Sequence, residues 1–144
     1  MIQRWQSVFF LLASGVFGLQ FATDLAKSNT PVEGVFADQL YNISDHPGLL
    51  ALTIIGILIS LLAVFLYNKR PTQIKLAYLT ITVAILLPVI AILLYTNQIG
   101  NLQDVEIEDQ AGLYLPIGTV LFAFLAIRFI KKDEKLVSSM DRLR

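Results

Sequence analysis

Four stretches of this 144-residue chain carry no charged side chain: Trp5–Thr23, Leu49–Asn68, Leu76–Ile99 and Gln110–Ile127. A helix of about 20 residues, rising roughly 1.5 Å per residue, covers a hydrocarbon core of about 30 Å. Each stretch therefore predicts a membrane span. In lipid the backbone must satisfy its own hydrogen bonds, so continuous helices are expected. The predicted class is an all-α membrane protein with four transmembrane helices, at about 5–23, 49–68, 75–97 and 113–130, forming one domain over 1–144. Composition agrees, with 56% hydrophobic and 15% charged residues, against roughly 25% charged in an average soluble chain.

The charges between these spans are sorted by sign. Arg4, Lys69, Arg70, Lys75, Arg128, Lys131, Lys132, Lys135, Arg142 and Arg144 fall before span one, between spans two and three, or after span four. The other two connections, 24–48 and 98–112, hold Lys27 alone among bases. They also hold eight acids: Asp24, Glu33, Asp38, Asp45, Asp104, Glu106, Glu108 and Asp109. Ten bases against three acids give one side a net +7; one base against eight acids gives the other −7. Short loops rich in Lys and Arg stay in the cytoplasm during insertion. The layout predicts both termini cytoplasmic (N-in/C-in), two extracytoplasmic loops and a cytoplasmic tail, 131–144. Because these bases flank spans, topology accounts for them and no nucleic-acid partner is expected.

The second span ends at Lys69-Arg70-Pro71, and the short NKRPTQIK connection predicts an antiparallel hairpin with the third. Pro88 in the third predicts a kink, and Pro116 marks the expected start of the fourth. Trp5, Tyr67, Tyr95 and Tyr114 stand at span ends, where interfacial aromatics gather. The first span shares the layout of a secretory signal peptide. Gln20-Phe21-Ala22 is a poor cleavage site, however, and an uncleaved span is expected. In the loops, VFADQLYNI and VEIEDQAGLYL mix alternation with turn residues, compatible with short strands or amphipathic turns. There is no cysteine to staple them. In the tail, Leu136, Met140 and Leu143 share a face at helical spacing, which predicts a helical extension.

Chemistry at membrane depth needs ionisable or strongly polar groups. The span middles offer only Ser14, Thr53, Ser60, Thr80, Thr82 and Thr119, with Gln20 near a span end. Hydroxyls of this kind bond back to their own helix or bridge helices. His46, the single histidine, has Asp45 beside it, but lacks metal-site spacing; a loop histidine at a helix start accounts for it better. The cluster Asp104, Glu106, Glu108 and Asp109 lacks the glycine and ligand pattern of a calcium loop. No catalytic residue, cofactor or metal is expected. Small residues at four-residue spacing, Ser14, Gly18 and Ala22 in span one and Gly56 and Ser60 in span two, predict close helix packing inside the bundle.

The two ends of the chain carry a resemblance. Met1 to Arg4 and Gln6 at the start, with Lys132 to Val137 and Asp141 to Arg144 at the finish, are similar to the termini of a bacterial family. Its members are small four-span integral membrane proteins catalogued as a domain of unknown function. The resemblance implies a bacterial inner-membrane location and no established activity. Both distinctive ends are expected in the cytoplasm. The expectation is that Arg4 and Gln6 pack against the tail helix. Lys132, Asp133, Glu134, Lys135, Leu136, Asp141 and Arg142 would then help form a surface that docks a partner. The expected function is a non-catalytic accessory subunit or assembly factor of a translocation, secretion or respiratory complex, with membrane lipids and protein partners. The alternative is an oligomeric transporter or binding protein for a small solute or lipid.

Overall fold

The computed structural model describes residues 5–31, 36, 38–99 and 106–141, with the backbone alone at 98, 99, 138, 140 and 141. Four long helices form: α1 (Trp5–Leu19), α2 (Pro47–Phe65), α3 (Arg70–Ile99) and α4 (Ala111–Asp141). Each supplies a segment long and apolar enough to cross a membrane, the first together with the 3-10 turn Gln20–Ala22 that follows α1: Trp5–Ala22, Pro47–Phe65, Arg70–Asn97 and Ala111–Val137. Only 33, 28, 33 and 39% of these segments, in chain order, is buried within the protein. The remaining faces are apolar, with Leu11, Leu19, Ile55, Leu58, Leu62, Ile85, Leu93, Ile117 and Phe124 all exposed. Exposed apolar surface on this scale is foreign to a monomeric soluble protein and is what lipid requires.

Each helix packs on its neighbours in the cyclic order α1–α2–α3–α4–α1. The chain runs up and down, so the α1–α2 and α3–α4 connections share one end. That acidic end carries a three-stranded antiparallel sheet of order β2-β1-β3, with β1 (Ala26–Ser28) between β2 (Leu40–Tyr41) and β3 (Ile107–Asp109). Lys27 stands opposite Leu40 on one side and Glu108 on the other. The α1–α2 connection supplies two strands and the α3–α4 connection the third, so the sheet ties the two helical hairpins together.

Local chemistry sets the helix ends. His46 caps α2 by accepting Gly48 N–H on Nδ1 at 3.1 Å, and Pro47 follows where no intrahelical N–H is needed. Upstream, Asn42 and Asp45 form a capping box: Asn42 Oδ1 accepts Ser44 N–H at 2.9 Å, and Asp45 Oδ2 accepts Asn42 N–H at 2.7 Å. At the other end of α2, Gln73 reaches back from α3, its Nε2 donating to Ala63 O at 2.8 Å. That bond satisfies a carbonyl that the helix terminus would leave open.

Two expectations about prolines and tyrosines need correction. α4 begins at Ala111, more than a turn before Pro116. The sheet pulls that start forward, because Gln110 N–H donates to Leu25 O and Gly112 N–H to Asp24 O, each at 3.0 Å. A Cβ at Gly112 would lie 2.5 Å from Asp24 O, so only glycine lets the backbones meet. Tyr95 is buried rather than interfacial, edge-on to Tyr41 at 6.1 Å and to Phe36 at 6.3 Å. α3 runs unbroken through Pro88.

The core divides into two apolar clusters. One, toward the sheet, includes Phe17, Leu25, Phe36, Tyr41, Leu49, Val83, Leu87 and Tyr95. The other, toward the basic end, holds Phe10, Ala63, Ala77, Ala126, Ile127 and Ile130.

Candidate functional site

Between those clusters lie most of the polar residues of the span interiors. In chain order Ser14 falls between Phe10 and Phe17, Ser60 between Leu49 and Ala63, and Thr80 between Ala77 and Val83. These hydroxyls are spent on their own helices: Ser14 donates to Leu11 O, Ser60 to Gly56 O and Thr80 to Leu76 O, all within 2.9 Å. Thr53 does the same to Leu49 O at 2.9 Å. A hydroxyl bonded this way has no proton left to offer a substrate. Two buried groups differ. Thr119 Oγ1 and both amide atoms of Gln20 have no partner among the described residues.

The small-residue ridges separate. In α2, Gly56 and Ser60 are buried as expected, and the ring of Phe17 approaches within 2.6 Å of where a Gly56 Cβ would stand. In α1, Ser14 is buried but Gly18 faces outward, as does Ala22 in the 3-10 turn that follows, and a Cβ on Gly18 would meet nothing within 4 Å. The expectation that Gly18 and Ala22 pack inside the bundle is therefore corrected. Helical spacing put them on one face, but α2 and α4 seat on the Phe10–Phe17 face instead.

At the basic end the helices leave an open cavity of about 340 Å³. Its wall is built from three helices and a turn: Gln6 from α1, Tyr67 and Asn68 from the α2–α3 turn, Arg70 and Pro71 from the start of α3, and Asp133 and Glu134 from α4. Gln6 of the chain start and Asp133 and Glu134 of the tail helix line the same cavity. Gln6 is 4% exposed and its Oε1 has no partner among the described residues. α4 continues without a break past the cavity, presenting Lys132, Glu134, Lys135, Leu136 and Val137 at its surface. Lys132 lines a separate, more apolar cleft of about 420 Å³ with Leu125, Arg128 and Phe129. Phe9 packs on Phe129 at 5.2 Å, adding a second tie between α1 and α4. Arg4 and Arg142 lie outside the described residues, as does the side chain of Asp141.

Sequence reading placed Arg70 and Asn68 at this end only as topology charge and turn, and missed the buried role of Gln73. Gln73 had a readable signal: it begins the stripe Gln73, Ala77, Thr80, Ala84, Leu87 and Ala91, all buried at helical spacing.

At the acidic end Lys27, Ser28, Asn29, Gln39, Glu106 and Glu108 line a second cavity, of about 300 Å³, while other polar groups there are spent locally. Asp38 accepts Leu40 N–H, Asp45 and His46 serve as caps, and Asp109 accepts the Tyr114 hydroxyl. Among the described residues no three His, Asp or Glu side chains gather as a metal site. Burial raises the Asp45 carboxyl above its usual range, and Asp38 and Asp24 add to the shift while the Asn42 N–H opposes it. Burial, then the charge of Asp45, pushes the Tyr41 phenol up to about 12.

The sequence matches the family described as Domain of unknown function (DUF4293) over residues 2–143. The chain belongs to this family. No curated protein and no solved structure matches it. The match spans all four helices and the sheet, so the architecture above is that of the whole family region in this chain. Its description carries no activity, and function has to be argued from the two ends and the interior.

Proposed function

We propose that this chain is a non-catalytic accessory subunit or assembly factor of a larger membrane complex, such as a translocation, secretion or respiratory assembly. It would sit in a bacterial inner membrane with both termini in the cytoplasm. The observation that carries this reading is how polar groups are distributed. Inside the spans, four of the buried hydroxyls are bonded to their own helices. At the basic end, by contrast, Arg70, Asp133 and Glu134 edge an open cavity, beneath an α4 extension that exposes Lys132, Lys135 and Leu136. Side chains offered together at one end suit recognition of another protein better than passage or chemistry.

The test is purification of the natively expressed, tagged protein in mild detergent, with identification of what accompanies it. A stoichiometric set of other membrane subunits is the expected result. A lone monomer or homo-oligomer would overturn it. Because the chain has no cysteine, single substitutions also test topology. Glu108→Cys should react with a membrane-impermeant thiol reagent in intact cells, and Lys135→Cys only after permeabilisation.

A second reading, an oligomeric carrier or binding protein for a small solute or lipid, is favoured by Gln20 and Thr119. Both are fully buried polar groups without partners, as a polar path through the spans would need.

A further inference from the structure

The basic-end cavity has the chemistry of a specific small-molecule site. Its charged lining is mixed, Arg70 against Asp133 and Glu134, so a simple anion would meet two carboxylates and a simple cation would meet a guanidinium. A zwitterion with separated charges fits both. The cavity also opens where the apolar run of α2 stops at Phe65 and the polar turn at Asn68 begins. In a spanning protein, that is the depth of lipid headgroups. Its volume of about 340 Å³ lies at the small end of the roughly 300–1,000 Å³ typical of ligand sites. A headgroup suits it better than a whole lipid.

The buried amide narrows the choice further. Gln6 lines the cavity, and its carbonyl oxygen is buried without a partner. The terminal amide torsion is soft, so this oxygen can turn to a donor placed in the cavity. An unsatisfied buried acceptor destabilises the fold until some N–H or O–H meets it. A primary ammonium brings three N–H donors, and the cavity offers three acceptor groups: the carboxylates of Asp133 and Glu134 and the Gln6 carbonyl. A trimethylammonium brings none.

We infer that this cavity binds the phosphoethanolamine group, its phosphate on Arg70 and its primary ammonium among Asp133, Glu134 and Gln6. The source is a phospholipid of the surrounding leaflet or a free phosphoethanolamine. The inference goes beyond the accessory-subunit reading and rests only on the four spans and the cavity. It holds whichever side of the membrane the basic end faces.

Native mass spectrometry of the full-length, delipidated protein tests it, using equimolar phosphatidylethanolamine and phosphatidylcholine with identical acyl chains. The expected result is about a tenfold preference for the ethanolamine lipid, the scale of a lost charge-assisted hydrogen bond. Joint Asp133→Asn and Glu134→Gln substitution should bring the two lipids to parity without weakening choline lipid retention. Arg70→Gln should weaken both, since both carry the phosphate. Glu108→Gln in the distant sheet should change neither. Free phosphoethanolamine added as competitor distinguishes the sources: displacement of bound lipid assigns the soluble one, and failure to displace assigns the bilayer. Equal binding of the two lipids by the unaltered protein would overturn the inference. So would a preference that survives the Asp133→Asn, Glu134→Gln variant.

Discussion

The acidic and basic ends of the bundle differ in how they are closed. At the acidic end two connections interlock through β1, the Tyr41, Phe36 and Tyr95 rings fill the space beneath, and the Asp45 carboxylate is consumed in a capping box. At the basic end a short turn joins α2 to α3 while α4 runs on, and an open cavity remains among the helix termini. One end holds the two helical hairpins in register through its sheet, whose Lys27 and Glu108 also border a cavity of about 300 Å³. The other leaves Arg70, Asp133 and Glu134 at a cavity edge. The lesson is that charge alone does not mark a working surface. Among the described acids of the acidic end, Asp38, Asp45 and Asp109 are tied into local hydrogen bonds, whereas Glu106 and Glu108 stand with Lys27 at a cavity of about 300 Å³.

Substitutions at the two ends should therefore differ in kind. Tyr41→Ala removes a fully buried ring from the sheet-end core and is expected to cost about 3–5 kcal/mol in detergent unfolding. The paired Asp133→Asn and Glu134→Gln change should stay within about 0.5 kcal/mol. Comparable losses at both ends would break the contrast. Next in size, Gly112→Ala forces a Cβ to within 2.5 Å of Asp24 O, for an expected loss of about 1–3 kcal/mol. Gly18→Ala, with open space around it, should instead stabilise the helix by up to about 1 kcal/mol. A destabilised Gly18→Ala would place a packed neighbour on that face. Gln20→Leu removes two unpartnered buried polar atoms and is expected to raise thermal stability by about 1 kcal/mol. A loss there would show that Gln20 serves a ligand, and would favour the carrier reading.

The smallest effect is a pH response confined to the sheet end. The folded protein holds the Tyr41 proton up to about 12, whereas the unfolded chain releases it near 10.0. The raised value means the folded state binds the proton more tightly, so this contribution is intact below pH 10 and is lost as pH climbs toward 12. Near-ultraviolet tyrosinate absorbance should show a late phase that Tyr41→Phe abolishes. Persistence of that phase in the variant would assign it to another tyrosine.

The four helices were readable because uncharged runs of this length leave the backbone one solution in lipid. The sheet was readable only in part: β2 and β3 fall in the two segments compatible with short strands, whereas β1 carried no such signal. Its strands are two or three residues long, and its centre is the segment around Lys27, paired with Glu108 some eighty positions away. Spacing placed Gly18 and Ala22 on one helix face, but what covers a face depends on the partner helix, and Phe17 against Gly56 decided that. The cavity was half readable. The two termini were expected to meet, and Gln6 does share a wall with Asp133 and Glu134. Arg70 and Asn68 were read only as topology charge and turn, since nothing local shows that a turn closes over a helix start more than sixty residues away.

The most direct measurement of the working-face claim compares co-purification of two variants with the unaltered protein. One reverses charge at Asp133, Glu134 and Lys135; the other reverses it at Glu106 and Glu108 in the sheet-end connection. The account predicts that the first loses its membrane partners while remaining folded, and that the second keeps them. Partners lost with the sheet-end variant and retained with the basic-end variant would contradict it.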